Sequence, residues 1–504
     1  MSRRRSDTTS RRRRRRQAES FVQSPAAELR SPFPPFELLS TDQVEAIHQA
    51  SLQVLEEIGV NFLLDEAREI LGAAGADVAA DGPRVRFDRD LIETAVSRAP
   101  SSFVMHGRDA VYDRTIGGDH LSFCLVSSPP NATDLTRGRR PGNFEDYCDF
   151  LRLGQSLNIA HFFSGYPVEP TDVPTPIRHL KAEHAMATLG SKNLSGYALG
   201  RRRILDSIEI ARLARGIDHE QLLAEPSLWT VVNANSPLQY DKPMLLSTIE
   251  MARHRQPVIV TPFTLAGALV QKNAEALAGI AFMQIVNPGA PVIYGGFTSN
   301  VDMKTGAPAF GTPEYAKAVL AGGQLARRYG LPYRSSNVNA SNAPDEQAVY
   351  ESEMSIWACM LAHCNCVKHA LGWLEGGLSA SFEKVILDAE MLQMAAAFLE
   401  PLAFDEDSLG LDAIREVGPG GHFFGAQHTL ARYETAFYRP LVSDWRNFET
   451  WSEDGAKTAT MRAHEIYQAL LADYEPPPME PDVREALDDF VERRIAEGGA
   501  VPEE

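Results

Sequence analysis

Between Leu121 and Glu400 a short apolar run is followed eight times by an amphipathic, helix-like stretch, and this rhythm leaves few folds open. The runs are HLSFCLV, IAHFFSGY, NLSGYAL, LWTVVNAN, PVIVTPF, PVIYGGF, PYRSSNVNAS and VKHALGWLE. Near-continuous apolar strands alternating with helices, roughly 30–45 residues apart, mark parallel βα units whose strands are buried on both faces. Eight such pairs with none left over predict a closed (β/α)8 barrel of the α/β class rather than an open doubly wound sheet. Its helices are expected from Asn143–Leu157 through Ser381–Phe398. No GxGxxG or GxxxxGK[ST] stands at a strand-to-helix junction, so dinucleotide and P-loop chemistry lack their signature.

The flanks have a different texture. TDQVEAIHQASLQVLEE (41–57) carries apolar residues at helical spacing, a short helix is expected over Leu64–Ala73, and PRVRF and SFVMHGR read as strands around a helix near Arg89–Arg98. These predict an N-terminal α+β extension over 39–120, ahead of a barrel over 121–400. Residues 401–504 contain the glycine-rich GPGGHFFG and two polar helices, read as a C-terminal helical appendage with a charged, frayed end. Residues 1–38 read as a disordered arginine-rich tail and proline-rich linker.

Charge narrows the function classes. Of 49 basic and 67 acidic residues, the first sixteen positions hold nine arginines and one aspartate, so the remainder stands at 40 against 66, near -26. An acidic body argues against a nucleic-acid groove, which needs clustered basic charge. The segment after Arg16 has no apolar core, so the tail is not read as a twin-arginine export signal. No apolar run reaches the ~18–20 residues of a membrane span. Five scattered cysteines fit a reducing compartment, and the expected location is cytoplasmic. The cluster His363–His369 matches no zinc spacing and reads as buried cysteines at a helix-to-strand junction.

Barrel chemistry sits at the C-terminal ends of strands. There the sequence offers Tyr166, Tyr197, Asn233 with Asn235, Thr264, Thr298, and Asn337, Asn339 and Ser341 on one expected face. The eighth strand ends at Trp373 and Glu375, before a Gly-Gly turn and a helix opened by Ser379 or Ser381. No lysine, HxH, metal-binding acid/imidazole set or carboxylate pair is placed at these ends. Such a mouth suits a cationic or weakly polar ligand held by cation–π contact and neutral hydrogen bonds. Structural roles stay open for the same residues: asparagines as turn ties, tyrosines as packing, Trp373 as a plug. Glu375 is set apart because a buried carboxylate needs a partner. GPGGHFFGAQHT adds His422 and His428 in a setting where backbone can approach a ligand closely.

Six segments occur in an order that resembles the trimethylamine–corrinoid methyltransferase family across Leu39–Tyr467. They are SPL in NANSPLQYD, TLAGALVQKNAEALAGI, PGAPVIYGG, PDEQAVYESEMS, GWLEGGLSASFEKVILDAEML and GPGGHFFGAQHT. The resemblance implies a (β/α)8 barrel that passes a methyl group from a methylated amine to the cobalt of a separate corrinoid protein. Family members that take trimethylamine carry pyrrolysine; this chain has none and resembles the branch acting on glycine betaine and related betaines. The cofactor implied is a corrinoid or cobalamin, carried by a cognate corrinoid protein or free, with no metal bound by the chain itself. No side chain is then catalytic, because Co(I) is the nucleophile. The substrate-binding set is Trp373, Glu375, His422, Asn337, Asn339, Asn235, Thr298 and Tyr166. Glu375 would face the ammonium, and His422, Asn339 and Asn337 a betaine carboxylate. The partners implied are the corrinoid protein and a small quaternary amine, without nucleic acid or membrane, and homo-oligomerisation is open. Three alternatives stand beside this reading: a trimethylamine-type methyltransferase, a non-catalytic betaine-binding or corrinoid-docking barrel, and a lyase or hydrolase barrel.

Overall fold

Seven parallel strands curl into one hydrogen-bonded sheet in a computed structural model that describes residues 23–265 and 269–503. The arginine-rich stretch read as a tail lies, as far as Val22, outside the described residues. Around the sheet run Leu194–Ser195, Leu228–Ala234, Val258–Leu265, Val292–Gly295, Tyr333–Ser336, Cys366–Leu371 and His120–Leu125. The IAHFFSGY run fills the second position. It meets the first strand at the Cys124–Phe162 bridge, where the His161 amide donates to Phe123 O at 2.8 Å and the Leu125 amide to Phe162 O at 3.0 Å. On its other side closure passes to side chains: the Trp229 indole donates to Phe163 O at 3.0 Å and the Tyr166 amide to the Tyr197 hydroxyl at 3.1 Å. With eight helices outside, this is the expected (β/α)8 barrel.

The helices start where the sequence supplies caps. Asn143, Asp241, Thr312, Asp345 and Ser381 each accept a backbone N–H from the first turn of the helix that follows. Among them, Ser381 rather than Ser379 opens Phe382–Leu399.

The N-terminal extension carries helices Thr41–Gln53, Asp65–Ala73 and Arg89–Val96, close to the expected spans. Its hairpin, Ser102–Met105 with Arg114–Gly117, plugs the floor of the barrel. Met105 and Ile116 pack there against Cys124, Phe162, Trp229, Ile259, Ile293 and Cys366 in an apolar layer apart from the main core. In the appendage, Ala459–Ala472 packs on Phe382–Leu399, and Pro481–Ala496 on Thr175–Leu189 and Arg201–Arg215. The end is docked, not frayed: the Ala500 amide donates to Pro176 O at 2.8 Å, and Glu503 accepts from the Arg201 amide at 2.8 Å. A carboxylate at a helix N-terminus meets unpaired N–H groups and the positive end of the dipole, which holds the segment down.

Candidate functional site

One step of two residues along the strands turns the barrel from apolar to polar. Phe162, Trp229, Ile259 and Cys366 form the floor layer. Two residues on, Ser164, Val231, Thr261 and Lys368 line a cavity of about 410 Å³ above it. Side chains alternate across a strand with period two, so these are successive inward layers. Arg334, paired in register with Gly295, joins this second layer. Higher still stand Tyr197, Asn233, Met244, Phe297, His369 and Trp373.

The second layer is cationic, which sequence reasoning missed. Arg334 is buried, with Nη2 donating to Ser336 Oγ at 3.0 Å, Nη1 to Thr261 Oγ1 at 3.4 Å, and its guanidinium 5.3 Å from the Phe297 ring centre. Its Nε finds no hydrogen-bond partner among the described residues. Lys368 is buried, donates to Ser164 O at 2.8 Å and lies 6.0 Å from the Trp229 ring centre. Among the described residues no carboxylate pairs with either. Burial, then the neighbouring Arg334 charge, pulls the Lys368 ammonium down to about 8, and burial lowers Arg334 as well. The expectation of a mouth free of lysine is therefore corrected. The eighth strand reads CVKHAL, and its parity puts Cys366 and Lys368 inside.

His369 lies in the same wall at φ +54. Burial, then Arg334 and Lys368, holds its pKa well below the usual value, so the ring is neutral. Arg334 Nη2, which can only donate, lies 3.4 Å from Nε2, so that nitrogen accepts, while Nδ1 lies 3.3 Å from the Ser127 amide and 3.4 Å from Ser127 Oγ. Two cations thus converge with no carboxylate among the described residues to match their charge. Desolvated cations without counter-charge are expensive, and functional sites are where that cost persists.

Above the donors the wall is aromatic. Trp373 lies 4.4 Å from the His369 ring, 6.0 Å from Phe310 and 6.4 Å from Phe297, centre to centre. Its indole N–H donates to Asn339 O at 3.2 Å, and the Asn339 side chain donates back to Trp373 O at 2.7 Å. Gly377 closes the other side at φ +98, where a Cβ would come within 2.5 Å of the indole ring.

The other residues named from sequence fall elsewhere. Asn337 and Asn339 are buried but lie on the outward parity of their strand, with Arg334 and Ser336 on the inward one; Asn337 donates to Ala370 O at 3.0 Å. They shape the end of the eighth strand rather than line the cavity. Tyr166 is buried behind Tyr197, ring centres 4.1 Å apart, and it is Tyr197 that lines the cavity. Asn235 ties a turn, its Oδ1 accepting from the Asp241 amide at 3.2 Å, while Asn233 lines the cavity. Thr298 is buried on Phe297–Val301, its hydroxyl without a partner among the described residues. Glu375 is on the rim, bonded to Arg139 Nε at 2.8 Å and Ser379 Oγ at 2.5 Å. Burial raises its pKa, but those bonds outweigh it and hold the carboxyl below its usual range. His422 is exposed on the appendage and outside the cavity lining. The signal that could have found Arg334 and Lys368 is a basic residue in the middle of a strand buried on both faces. Among the described residues no group of three or more His, Cys, Asp or Glu could hold a metal ion.

Comparison with known proteins agrees with this architecture. A family model described as trimethylamine methyltransferase matches residues 4–499, wider than the Leu39–Tyr467 span of the motifs. This chain belongs to the trimethylamine methyltransferase family. Within that family it is 36% identical to a glycine betaine methyltransferase of Desulfitobacterium hafniense strain Y51, over 92% of this chain and 98% of that one. It is 29% identical to a trimethylamine methyltransferase, MttB, of D. hafniense strain DSM 10664 / DCB-2, over 91% and 94%. The fold of this family member resembles the monomethylamine methyltransferase MtmB of Methanosarcina barkeri, with TM-score 0.50 and 10% identity over 88% of this chain and 90% of that one.

Proposed function

We propose that the protein removes one methyl group from a carboxylate-bearing quaternary amine of the glycine betaine type and passes it to the Co(I) of a corrinoid brought by a separate protein. One observation carries the reading: Arg334 and Lys368 are buried with no carboxylate partner among the described residues, directly beneath an aromatic wall. That arrangement complements a zwitterion, with carboxylate down and trimethylammonium up. Arg334, oriented in part by its bond to His369 Nε2, and Lys368 would take the carboxylate, and Trp373, Tyr197 and Phe297 the ammonium. Trimethylamine, without a carboxylate, would leave both cations uncompensated.

The chemistry asks little of acid or base. Methyl transfer breaks one C–N bond, its electron pair stays on nitrogen, and the departing dimethylamino acid is a neutral amine needing no proton. The work of the chain is to exclude water and aim one methyl at the mouth. The cavity lining contains no thiol, since all five cysteines are buried elsewhere, and Lys368 is fixed on a carbonyl. The acceptor must then enter from the mouth, where the corrinoid supplies the nucleophile. Support for a cytoplasmic location comes from the five unpaired cysteines; no helix among the described residues is long and apolar enough to cross a membrane.

The deciding experiment mixes the protein with cob(I)alamin and, in turn, glycine betaine, proline betaine, carnitine and trimethylamine, and follows methylcobalamin spectroscopically. Turnover is expected with a betaine and not with trimethylamine. Turnover on trimethylamine alone overturns the reading, and binding of betaine without methylcobalamin favours a binding protein.

Two further outcomes follow from the site. Lys368 loses its charge above about 8, so KM for glycine betaine is expected to rise between pH 7 and 9.5, by about tenfold for one lost charge contact of ~1.5 kcal/mol. Stability should move oppositely to affinity. The folded pKa of about 8 lies below the ordinary 10.5, so between them the unfolded chain binds more protons and stability rises with pH. Lys368→Met should flatten both profiles, as KM and thermal midpoint across pH would reveal. Gly377→Ala is expected to push the indole out of place and raise KM roughly tenfold, because a Cβ at 2.5 Å demands movement and φ +98 disfavours alanine. An unchanged KM would mean that the Trp373 ring is not part of the seat.

A further inference from the structure

The chain carries two apolar surfaces that do not cover one another. The first is an arm, residues 402–438, that follows the helix Phe382–Leu399. Its short helices, Leu411–Val417 and Gln427–Arg432, contribute little burial, and of the whole arm only Ala413 and Ala426 are buried. Its large side chains face outward, with Leu402 92%, Phe424 85% and Phe437 80% exposed. The chain rejoins the barrel where Val442 N–H donates to Glu390 at 2.8 Å and Gln393 to Arg439 O at 3.3 Å. The second surface is a stripe on the helix Glu346–Leu361. Tyr350, Met354, Trp357 and Leu361 recur at spacings of four, three and four, so they share one face, and all are exposed. Phe398 of the next helix extends that face, 5.2 Å from Trp357, and Phe33 lies 5.5 Å beyond it.

We propose that the arm of one copy lies on the Tyr350–Leu361 face of a second copy, and reciprocally, giving a twofold dimer with exchanged arms. At ~200 Å² for a fully exposed large side chain, the arm displays on the order of 1,500 Å² of apolar residues, whereas the largest patch on a typical monomer is ~300–600 Å² and a stable complex needs ~800 Å² per partner. The arm leaves the barrel at Phe398, the edge of the face, so the two surfaces meet in a second copy under one twofold axis, as an isologous interface requires. Charge does not drive the association, because both the arm and the Glu346–Leu361 helix carry more acidic than basic residues. The contact is therefore apolar, and high salt should leave it intact or tighten it.

Sedimentation equilibrium of the full chain tests this directly. At micromolar concentration the mass should be twice 55.5 kDa, in 0.1 M and in 1 M salt alike. An arm variant, Phe424→Glu with Phe437→Glu, and a face variant, Trp357→Glu, should each be monomeric, with association weakened at least about 100-fold. Both should retain the parent's circular dichroism and its turnover with free cob(I)alamin, since neither touches the cavity. Mixed in equal amounts, the two should recover a heterodimer, because one intact arm meets one intact face. A monomeric parent at tens of micromolar overturns the proposal, as does a dimer surviving in both variants or a mixture of folded variants that stays monomeric. A parent that stays monomeric until a corrinoid protein is added would assign the surfaces to that partner instead.

Discussion

Replacing Arg334 with methionine is expected to lower kcat/KM for glycine betaine by about 10²–10³-fold while leaving the fold at least as stable as the parent. The two halves of this result have one cause. Arg334 is fully buried, its Nε has no partner among the described residues, and its bonds go to two hydroxyls and a neutral imidazole. An uncompensated buried charge costs free energy in the empty protein, and a bound carboxylate relieves it. Removing one member of such a buried pair typically costs about 3–5 kcal/mol, which is ~10²–10³-fold in binding or more. In the empty protein the same substitution removes the desolvation cost, so the thermal midpoint should not fall. Arg334→Lys should recover part of the activity, because it keeps the charge but loses the planar fork that matches a carboxylate. Choline, which has the trimethylammonium and no carboxylate, supplies the control: binding of choline should be indifferent to, or improved by, Arg334→Met. If the methionine variant keeps the parent's kcat/KM for glycine betaine, the carboxylate is bound elsewhere.

Trp373→Ala is expected to reduce kcat/KM by about 10²-fold, and Trp373→Phe by ~10-fold or less. The indole is the largest surface at the ammonium end, and a desolvated cation–π contact is worth about 2 kcal/mol. Misaiming of the methyl adds to the loss, since small displacements of reacting groups are costly. The alanine variant also empties a buried site, which costs about 3–5 kcal/mol of stability, so its folding must be checked by thermal unfolding. The phenylalanine variant guards against that ambiguity because it preserves a ring between His369 and Gly377. The loss should fall mainly on quaternary substrates as a class, in contrast to Arg334→Met, which should discriminate by carboxylate. If Trp373→Phe loses as much as Trp373→Ala, the indole N–H bond to Asn339 O matters more than the ring face.

Much of the barrel was legible because strands buried on both faces write themselves as apolar runs, and because five of its helices begin at polar caps. Less was legible where the backbone leaves regular pairing. IAHFFSGY reads as a full strand, yet makes one bridge, since its neighbours reach it through Trp229, Asn193 and Tyr197 side chains. The seventh strand shows the sharper failure. In PYRSSNVNAS, the asparagines at 337 and 339 attract attention as polar groups at a strand end, but a strand has two faces one residue apart, and Arg334 and Ser336 occupy the inner one. Glu375, expected to face the ammonium, is bonded to Arg139 from a hairpin 236 residues away, a partner no local window contains.

By itself the sequence determined the eightfold alternation, the family motifs and the presence of Trp373 beside a glycine turn at the last strand's end. Those depend on local periodicity and short spacing, which a chain carries without folding. Only the tertiary structure decided which parity faces inward and that Arg334, Lys368 and His369 converge under the indole. It alone decided that the residues expected to take a carboxylate, Asn337, Asn339 and His422, lie outside the cavity lining. The physical reason is that barrel closure brings together strands far apart in sequence, and the cost of a buried charge is set by neighbours no local window contains.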